Sequence, residues 1–254
     1  MRTTSGPSLP DSGPIADPRE IGVHGCDGAC DHAGKDAGER EEHSTKDVDE
    51  GSGEDFDAGA APTVSAPAPE AITELCAQCE EYVSRAVGMS LDFTPETLPI
   101  LDHYLSLVRT SCEERPALLA LTANAAGAYF GELVRQRFDG FWLMPTPDVH
   151  DWYVCTRVVY FKFNPFGVVH EVIARASSHP GPGGEFKLAR DEQALIEERL
   201  AAVPAVASEH YYLLSTRLEA IDIVMETLRF VVNQGGGQEQ ELEPEDYESA
   251  SDHY

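Results

Sequence analysis

The sequence predicts an α+β domain whose helices pack on one face of a small antiparallel sheet, with disordered acidic N- and C-terminal tails. The apolar periodicity along the 254-residue chain is helical in three segments, then typical of about three strands, then helical in two more. Strands and helices do not alternate, which argues against a parallel, Rossmann-type sheet. Apolar residues are concentrated in the middle of the chain, and this indicates one core between two polar ends.

The composition divides the chain into a tail at 1–70, a single α+β domain at 71–234 and a second tail at 235–254. The first tail carries one aromatic residue, Phe56, and the second carries seven acidic and no basic residues. Segments of this kind cannot bury enough apolar surface to offset the entropy of ordering the chain, so both are predicted to be disordered. The middle is long enough to form one hydrophobic core.

Three helices are predicted in the first half of the domain. The first covers the apolar stripe of EAITELCAQCEEYVSRAVGM and ends near Gly88. The second begins with Thr94 as its N-cap and Pro95 at its first position, because proline is tolerated where no helical N–H bond is made. Pro116 opens the third helix in the same way, and Asp139–Gly140 ends it.

The β part is predicted from runs of aromatic and β-branched residues. FWLMPTP is a short strand and DWYVCTRVVYFKFN the strongest one; NPFG turns the chain, and VVHEVIARA returns as the partner strand of an antiparallel hairpin. SSHPGPGGE is a loop, and FKL adds an edge strand. Two helices follow, RDEQALIEERLAAVP and the long amphipathic SEHYYLLSTRLEAIDIVMETLRFVVN.

The stretch GAYFGE (127–132) places two glycines four residues apart on one face of the third helix. Each glycine costs a helix about 0.5–1 kcal/mol relative to alanine, so we expect another element to approach the backbone closely there. In a structural interpretation Tyr129 belongs to the core and Glu132 forms a surface ion pair with Arg135. In a functional interpretation Tyr129 and Glu132 project into a groove. The candidate contacts with a protein partner are Tyr129, Glu132, Trp142 and, if its strand lies at a sheet edge, Trp152.

Soft metal ligands occur in two places, and together they could supply a four-coordinate zinc site. One is HGCDGACDH in the N-terminal tail, where no core-forming residues surround the ligands, so a site there would be a flexible chelate. The other is a C-x-x-C pair, which is also explained as buried thiols on a helix face, because two adjoining glutamates disfavour the thiolate. The candidate ligands are His24, Cys26, Cys30, His32, Cys76 and Cys79.

No catalytic constellation is recognisable in the sequence. It has neither a G-x-S-x-G nucleophile elbow nor an H-E-x-x-H motif, and GPGG (181–184) lacks the lysine of a phosphate-binding loop. His170 and Glu171 would point to opposite faces of the predicted strand and could not act on one substrate. No catalytic residue is therefore assigned.

The segments LDFTPETLPILDHYL, GAYFGELV and YYLLSTRLEAIDIVMETL resemble uncharacterised bacterial proteins of the myxobacterial type. The resemblance covers residues 71–232 and excludes both tails. It implies a shared fold, and because such families have no assigned activity, it assigns no catalytic residue to this chain.

The net charge of −27 limits the classes of function that are expected for this chain. A strongly acidic chain without a visible Lys/Arg cluster repels phosphate backbones, so direct nucleic-acid binding is not expected. No run approaches the roughly 20 apolar residues of a membrane span and no secretory signal is visible, which predicts a cytoplasmic protein without membrane contact. The sequence favours a non-enzymatic module that binds a protein partner with a basic surface. The alternative is a metal-binding protein or metal-dependent enzyme that uses the histidine and cysteine cluster.

Overall fold

The secondary structure follows the predicted order, with changes in the second half of the chain. The structure, a computed structural model, describes residues 67–177, 179, 181–204, 206–234 and 241–249. The predicted N-terminal tail lies outside these residues as far as residue 66. The helices are α1 (Glu70–Val87), α2 (Leu98–Glu114), α3 (Pro116–Arg137), α4 (Pro165–Ala174), α5 (Arg190–Ala201), α6 (Ser208–Tyr211), α7 (Leu214–Gln234) and α8 (Pro244–Ser249), and the strands are β1 (Gly140–Leu143), β2 (Tyr153–Thr156), β3 (Phe161–Phe163) and β4 (Lys187–Leu188).

The central element of the fold is α3, which packs against α1, α2, α4 and the sheet. Every residue from 125 to 135 is buried. By length and composition α3 could cross a membrane, but 67% of its most apolar window is buried inside the protein. A long apolar helix surrounded by other helices is what a protein core requires.

The three helices predicted for the first half are confirmed, with one change before α2. Gly88 ends α1 in the left-handed conformation, with φ 76°, and its N–H donates to the Ser84 carbonyl. Residues Pro95–Thr97 form a 3-10 turn ahead of α2, and the Thr94 side chain does not cap a helix. Its hydroxyl donates instead to the Asp92 carboxylate, 2.7 Å away.

The four strands form one antiparallel sheet in the order β1-β2-β3-β4. Because side chains alternate along a strand, the register divides them between two faces. The inner face turns towards α3 and the main core, and Trp142, Val154, Phe161 and Phe163 belong to it. The outer face carries Phe141, Leu143, Tyr153, Cys155, Lys162 and Lys187.

The prediction that VVHEVIARA is the partner strand is wrong, because these residues belong to α4 and its C-terminal end. Asn164 caps this helix by accepting the Gly167 N–H at 2.9 Å, and Pro165 occupies its first turn. Nearly all of α4 is buried, and a short apolar run buried on all sides does not distinguish a strand from a helix. The stretch NPFG is therefore a helix start, and burial overrides the β propensity of the valines.

The predicted strand 151–164 is divided into two strands. Tyr153–Thr156 and Phe161–Phe163 pair with each other, and residues 157–160 connect them. The antiparallel hairpin is thus present, but both of its strands come from the run that was predicted to supply one. The short edge strand FKL is confirmed as β4.

The long helix predicted at 208–233 is interrupted before Leu214 by a side chain from α2. The buried Asp102 carboxylate accepts the Leu214 N–H at 2.6 Å and the Ser215 N–H at 3.1 Å. A carboxylate that satisfies these two N–H groups supplies the N-terminal cap of a new helix. The sequence neighbours of α7 give no sign of this cap, because Asp102 is more than 100 positions away.

Part of the predicted C-terminal tail is ordered. Residues 241–249, here called the C-terminal segment, include α8, and Tyr247 is completely buried. Of the predicted tail at 235–254, residues 241–249 thus belong to the described part of the chain, and the other residues lie outside it. The large helices lie on the inner side of the sheet as predicted, but α8 packs on the outer face.

Candidate interaction face

The glycines of GAYFGE are explained by close packing. A Cβ on Gly127 would lie 2.7 Å from a ring carbon and 2.9 Å from the Cα of Phe166. A Cβ on Gly131 would collide with the Trp142 indole and lie 2.8 Å from Pro165. The expectation of a close approach is confirmed, and the approaching elements are the start of α4 and strand β1.

Tyr129 lies in the core and has no exposed surface. Its ring stacks on Phe93 with a centroid distance of 4.5 Å, and its hydroxyl accepts the Phe93 N–H at 2.7 Å. Phe93 has a left-handed backbone, with φ 59°, so Tyr129 holds a strained turn between α1 and α2. The ring gives no area to a partner in this structure.

Glu132 pairs with Arg135 as predicted, but the pair is buried, so its assignment to the surface is wrong. Arg135 donates to both carboxylate oxygens at 2.8 Å, and Gln136 and Trp142 donate at 2.9 and 3.1 Å. Burial alone would raise the pKa of Glu132, but these hydrogen bonds outweigh it and hold the pKa below its ordinary value. The carboxylate joins α3 to β1 and is not free to bind a partner.

The two tryptophans also serve the fold. Trp142 is half-buried on edge strand β1, where its indole ring lies against Gly131 and its indole N–H donates to Glu132. Trp152 precedes β2, which is an inner strand, so the condition that its strand lies at an edge is not met. Its indole N–H donates to the Thr146 carbonyl at 2.7 Å, and its side chain is buried. Of the four predicted contact residues, Trp142 alone is not buried.

The C-x-x-C pair lies on the buried face of α1. Burial, with Glu132 and Glu80 contributing, raises the pKa of Cys76 to about 12, and burial raises that of Cys79 as well. Both thiols are therefore protonated at neutral pH, and neither is prepared as a thiolate ligand. Within the described part of the chain, no three His, Cys, Asp or Glu side chains lie close enough together to hold a metal ion. The other candidate ligands, His24, Cys26, Cys30 and His32, lie outside the described residues.

His170 and Glu171 lie on α4, so the inference that they point to opposite faces of a strand is wrong. Both meet the loop that contains GPGG. The His170 ring stacks on His179 at 5.4 Å, and Glu171 accepts the Gly184 N–H at 3.2 Å and the Arg217 guanidinium at 3.0 Å. These contacts hold the loop on α4 and form no nucleophile–base pair.

The outer face of the sheet combines aromatic, aliphatic and cationic side chains. Lys162 and Lys187 are opposite each other in the register, and their ammonium groups lie 5.5 and 5.0 Å from the centre of the Tyr153 ring. Arg157 lies over Phe141 at 5.1 Å. Two lysines directly opposite each other repel, and the Tyr153 ring, which lies near both ammonium groups, relieves part of this repulsion. The sheet thus assembles a basic face that the linear sequence does not show as a cluster.

The C-terminal segment lies on this basic face. The Tyr247 ring stacks on Tyr160 at 4.7 Å and meets the edge of Phe141 at 5.6 Å. Tyr247 forms a small second core with Phe141, Leu143 and Cys155, separate from the main core. One aromatic side chain therefore anchors the segment.

The Tyr247 hydroxyl reaches the backbone of the β2–β3 connection. It lies 2.7 Å from the carbonyl oxygen of Thr156, 3.1 Å from that of Val159 and 3.3 Å from that of Phe161. The Phe161 N–H donates to the hydroxyl oxygen at 3.2 Å. Burial raises the pKa of Tyr247, so the phenol keeps its proton and donates it.

Arg157 holds the start of the C-terminal segment with both its backbone and its side chain. Its carbonyl accepts the Leu242 N–H at 2.7 Å, and its guanidinium lies 3.3 Å from Glu241 and 3.6 Å from Glu243. The ion pairs are largely exposed on the glutamate side and contribute little by themselves. Together with the Leu242 bond they direct the segment along the β2–β3 connection.

The sequence contained one sign of this face. In FKF and FKL a lysine stands between two large apolar residues, so a strand that buries the apolar residues must place each lysine on the opposite face. The pairing of these two short strands, which aligns the lysines, is a tertiary feature. Tyr247 carried no signal, because it stands alone in an acidic stretch.

Comparisons with protein families, curated proteins and solved structures give no match. The function is therefore argued from the geometry of the chain itself.

Proposed function

We propose that the chain is a non-enzymatic protein-binding module that binds through the outer face of its sheet. The C-terminal segment occupies this face in the free protein, and a segment of a partner protein replaces it. The observation that supports this is the manner of attachment: of residues 241–248, only Tyr247 is buried. A short segment held by one buried aromatic anchor and a few polar contacts is the usual form of an exchangeable peptide ligand.

Charge complementarity defines the kind of segment that this face accepts. The C-terminal segment ELEPEDYES has five acidic residues and no basic one, and it contacts Arg157 and Lys162, the latter of which is opposite Lys187 in the sheet. The whole chain has 45 acidic and 18 basic residues, so three basic side chains on one small face are a local concentration of positive charge. Acidic segments are thereby steered to this face, while the remaining surface attracts basic regions of the same partner.

Because a short linker joins it to α7, the C-terminal segment competes with a partner segment for the outer face and is not a permanent part of the sheet. Six residues, 235–240, join the end of α7 to the C-terminal segment. A short tether raises the local concentration of a ligand to about the millimolar range. If the C-terminal segment has an intrinsic Kd of about 0.1 mM, a partner segment would then bind wild type about tenfold more weakly than a chain whose own segment is released.

The cysteines support a reducing, cytoplasmic location for this function. Cys76, Cys79, Cys112 and Cys155 are buried and free. Unpaired thiols are typical of proteins in compartments that keep cysteine reduced.

The test uses the full-length chain with Tyr247→Ala and a fluorescent peptide, ELEPEDYES, as the probe. We expect saturable binding to this variant by fluorescence anisotropy and binding about tenfold weaker to wild type, because the wild-type face is occupied. Phe230→Ala is the matched control: Phe230 is 62% exposed on α7, away from the sheet, and its truncation should leave the wild-type result unchanged. A folded Tyr247→Ala chain that does not bind the peptide would refute the proposal.

A further inference from the structure

We propose that the β2–β3 connection is a tyrosine-reading pocket, so that the partner segment is acidic and carries a tyrosine with a free hydroxyl. This inference rests on the proposed binding function and names its ligand class. The C-terminal segment shows how such a ligand sits: the ring lies between Tyr160 and Phe141, and the hydroxyl meets the backbone of residues 156–161.

The backbone groups around the hydroxyl define what the pocket accepts. Three carbonyl oxygens, of Thr156, Val159 and Phe161, lie within 3.3 Å of the hydroxyl oxygen, together with one N–H donor. A neutral phenol suits this set, because it donates one hydrogen bond and accepts another. The Thr156 hydroxyl donates to the Val159 carbonyl at 2.7 Å, a hydrogen bond within the connection that helps to hold this shape.

Phenylalanine would fill the ring site but leave polar backbone groups without their partner. A buried acceptor or donor that loses its hydrogen bond costs about 1–3 kcal/mol, which corresponds to about 5- to 150-fold in affinity. The discrimination is strongest where water cannot replace the hydroxyl, and Tyr247 has no exposed surface. The pocket therefore prefers tyrosine to phenylalanine even though both rings have the same stacking area.

Phosphotyrosine is excluded for a different reason. The phosphate would place between one and two negative charges and three acceptor oxygens against the three carbonyls that now receive the hydroxyl. The Lys162 ammonium already donates to the Tyr247 carbonyl, 3.4 Å away. Phosphorylation of the ligand tyrosine thus abolishes binding to this face.

The experiment compares three peptides, ELEPEDYES and its phenylalanine and phosphotyrosine versions, on the full-length Tyr247→Ala chain. We expect the phenylalanine peptide to bind about 10- to 100-fold more weakly than the tyrosine peptide and the phosphotyrosine peptide not to bind. A thermal melt of the variant verifies that the domain remains folded.

The outcomes distinguish failure of the tyrosine-reading pocket from failure of the binding function. Equal affinity of the tyrosine and phenylalanine peptides, or tight binding of the phosphotyrosine peptide, would overturn the tyrosine-reading pocket and leave the binding function intact. Absence of binding by all three peptides would overturn both. A shift of the Phe161 amide resonance on addition of the tyrosine peptide, and a smaller shift with the phenylalanine peptide, is the signature of a hydroxyl bound at this site.

Discussion

Alanine at Gly127 is expected to destabilise the domain more than alanine at Gly131, although both changes add one methyl group to α3. At Gly127 the new Cβ would lie 2.9 Å from the Cα and 3.1 Å from the backbone nitrogen of Phe166. At Gly131 it would meet the indole ring of Trp142. A main-chain atom cannot retreat without moving the whole of α4, whereas an indole can tilt.

The magnitude follows from two opposing terms. Alanine improves helix propensity over glycine by about 0.5–1 kcal/mol. Overpacking a close-packed core costs about 1–3 kcal/mol, and the upper part of that range applies where backbone is the obstacle. We therefore expect Gly127→Ala to lower the free energy of unfolding by about 2 kcal/mol and Gly131→Ala by about 1 kcal/mol.

Urea unfolding of the full-length chain, followed by circular dichroism, measures both values. Trp142→Phe provides the decisive background, because a smaller ring removes the nearest obstacle to a Cβ on Gly131, whereas the backbone of Phe166 still obstructs a Cβ on Gly127. Gly131→Ala should then cost less in the Trp142→Phe chain than in wild type, whereas the cost of Gly127→Ala should be the same in both. If Gly127→Ala is as stable as wild type, or if both pairs are additive, the close-packing explanation of GAYFGE is wrong.

The remaining predictions concern buried polar groups. Glu132→Gln leaves the Arg135 charge buried without its carboxylate, and urea unfolding should show a loss of about 3 kcal/mol; a loss under 0.5 kcal/mol would contradict a buried ion pair. Asp102→Ala removes the cap of α7 and should cost about 1–2 kcal/mol, with the helical signal reduced little. Burial lowers the pKa of His170 to about 4, with His179 and His150 adding to it, whereas the unfolded side chain titrates near 6.5. Between these values the unfolded state binds more protons, so wild-type stability should fall as the pH falls from 6.5 to 4, and His170→Gln should flatten that slope; an unchanged slope would exclude His170 as the cause.

The helices of the first half could be predicted because their signals are local. The αL conformation at Gly88, the prolines at helix starts and the apolar stripes of α1 and α2 each depend on residues within a few positions. The spacing of Gly127 and Gly131 predicted a close approach for the same reason. The identity of the approaching groups did not follow, because Phe166 and Trp142 reach α3 only after the chain has folded.

The errors arise where burial or a distant partner decides the local structure. VVHEVIARA has β-branched residues but forms a helix, since a segment buried on every side has no amphipathic pattern to distinguish the two. The break before α7 depends on Asp102 from another helix. An i+3 pair such as Glu132 and Arg135 is normally an exposed arrangement, and only the packing of β1 over α3 buries this one.

The sequence by itself determined the α+β class, the central helix with its two glycines four residues apart, and the strongly acidic charge. Each of these is a property of composition or of local periodicity. The tertiary structure alone decided where function can reside. It placed Tyr129, Glu132 and Trp152 inside the fold and aligned two lysines on neighbouring strands. It also packed Tyr247, an isolated tyrosine in the acidic C-terminal stretch, against that basic face. Such a face forms only when strands far apart along the chain pair in register, and no window of neighbouring residues contains that information.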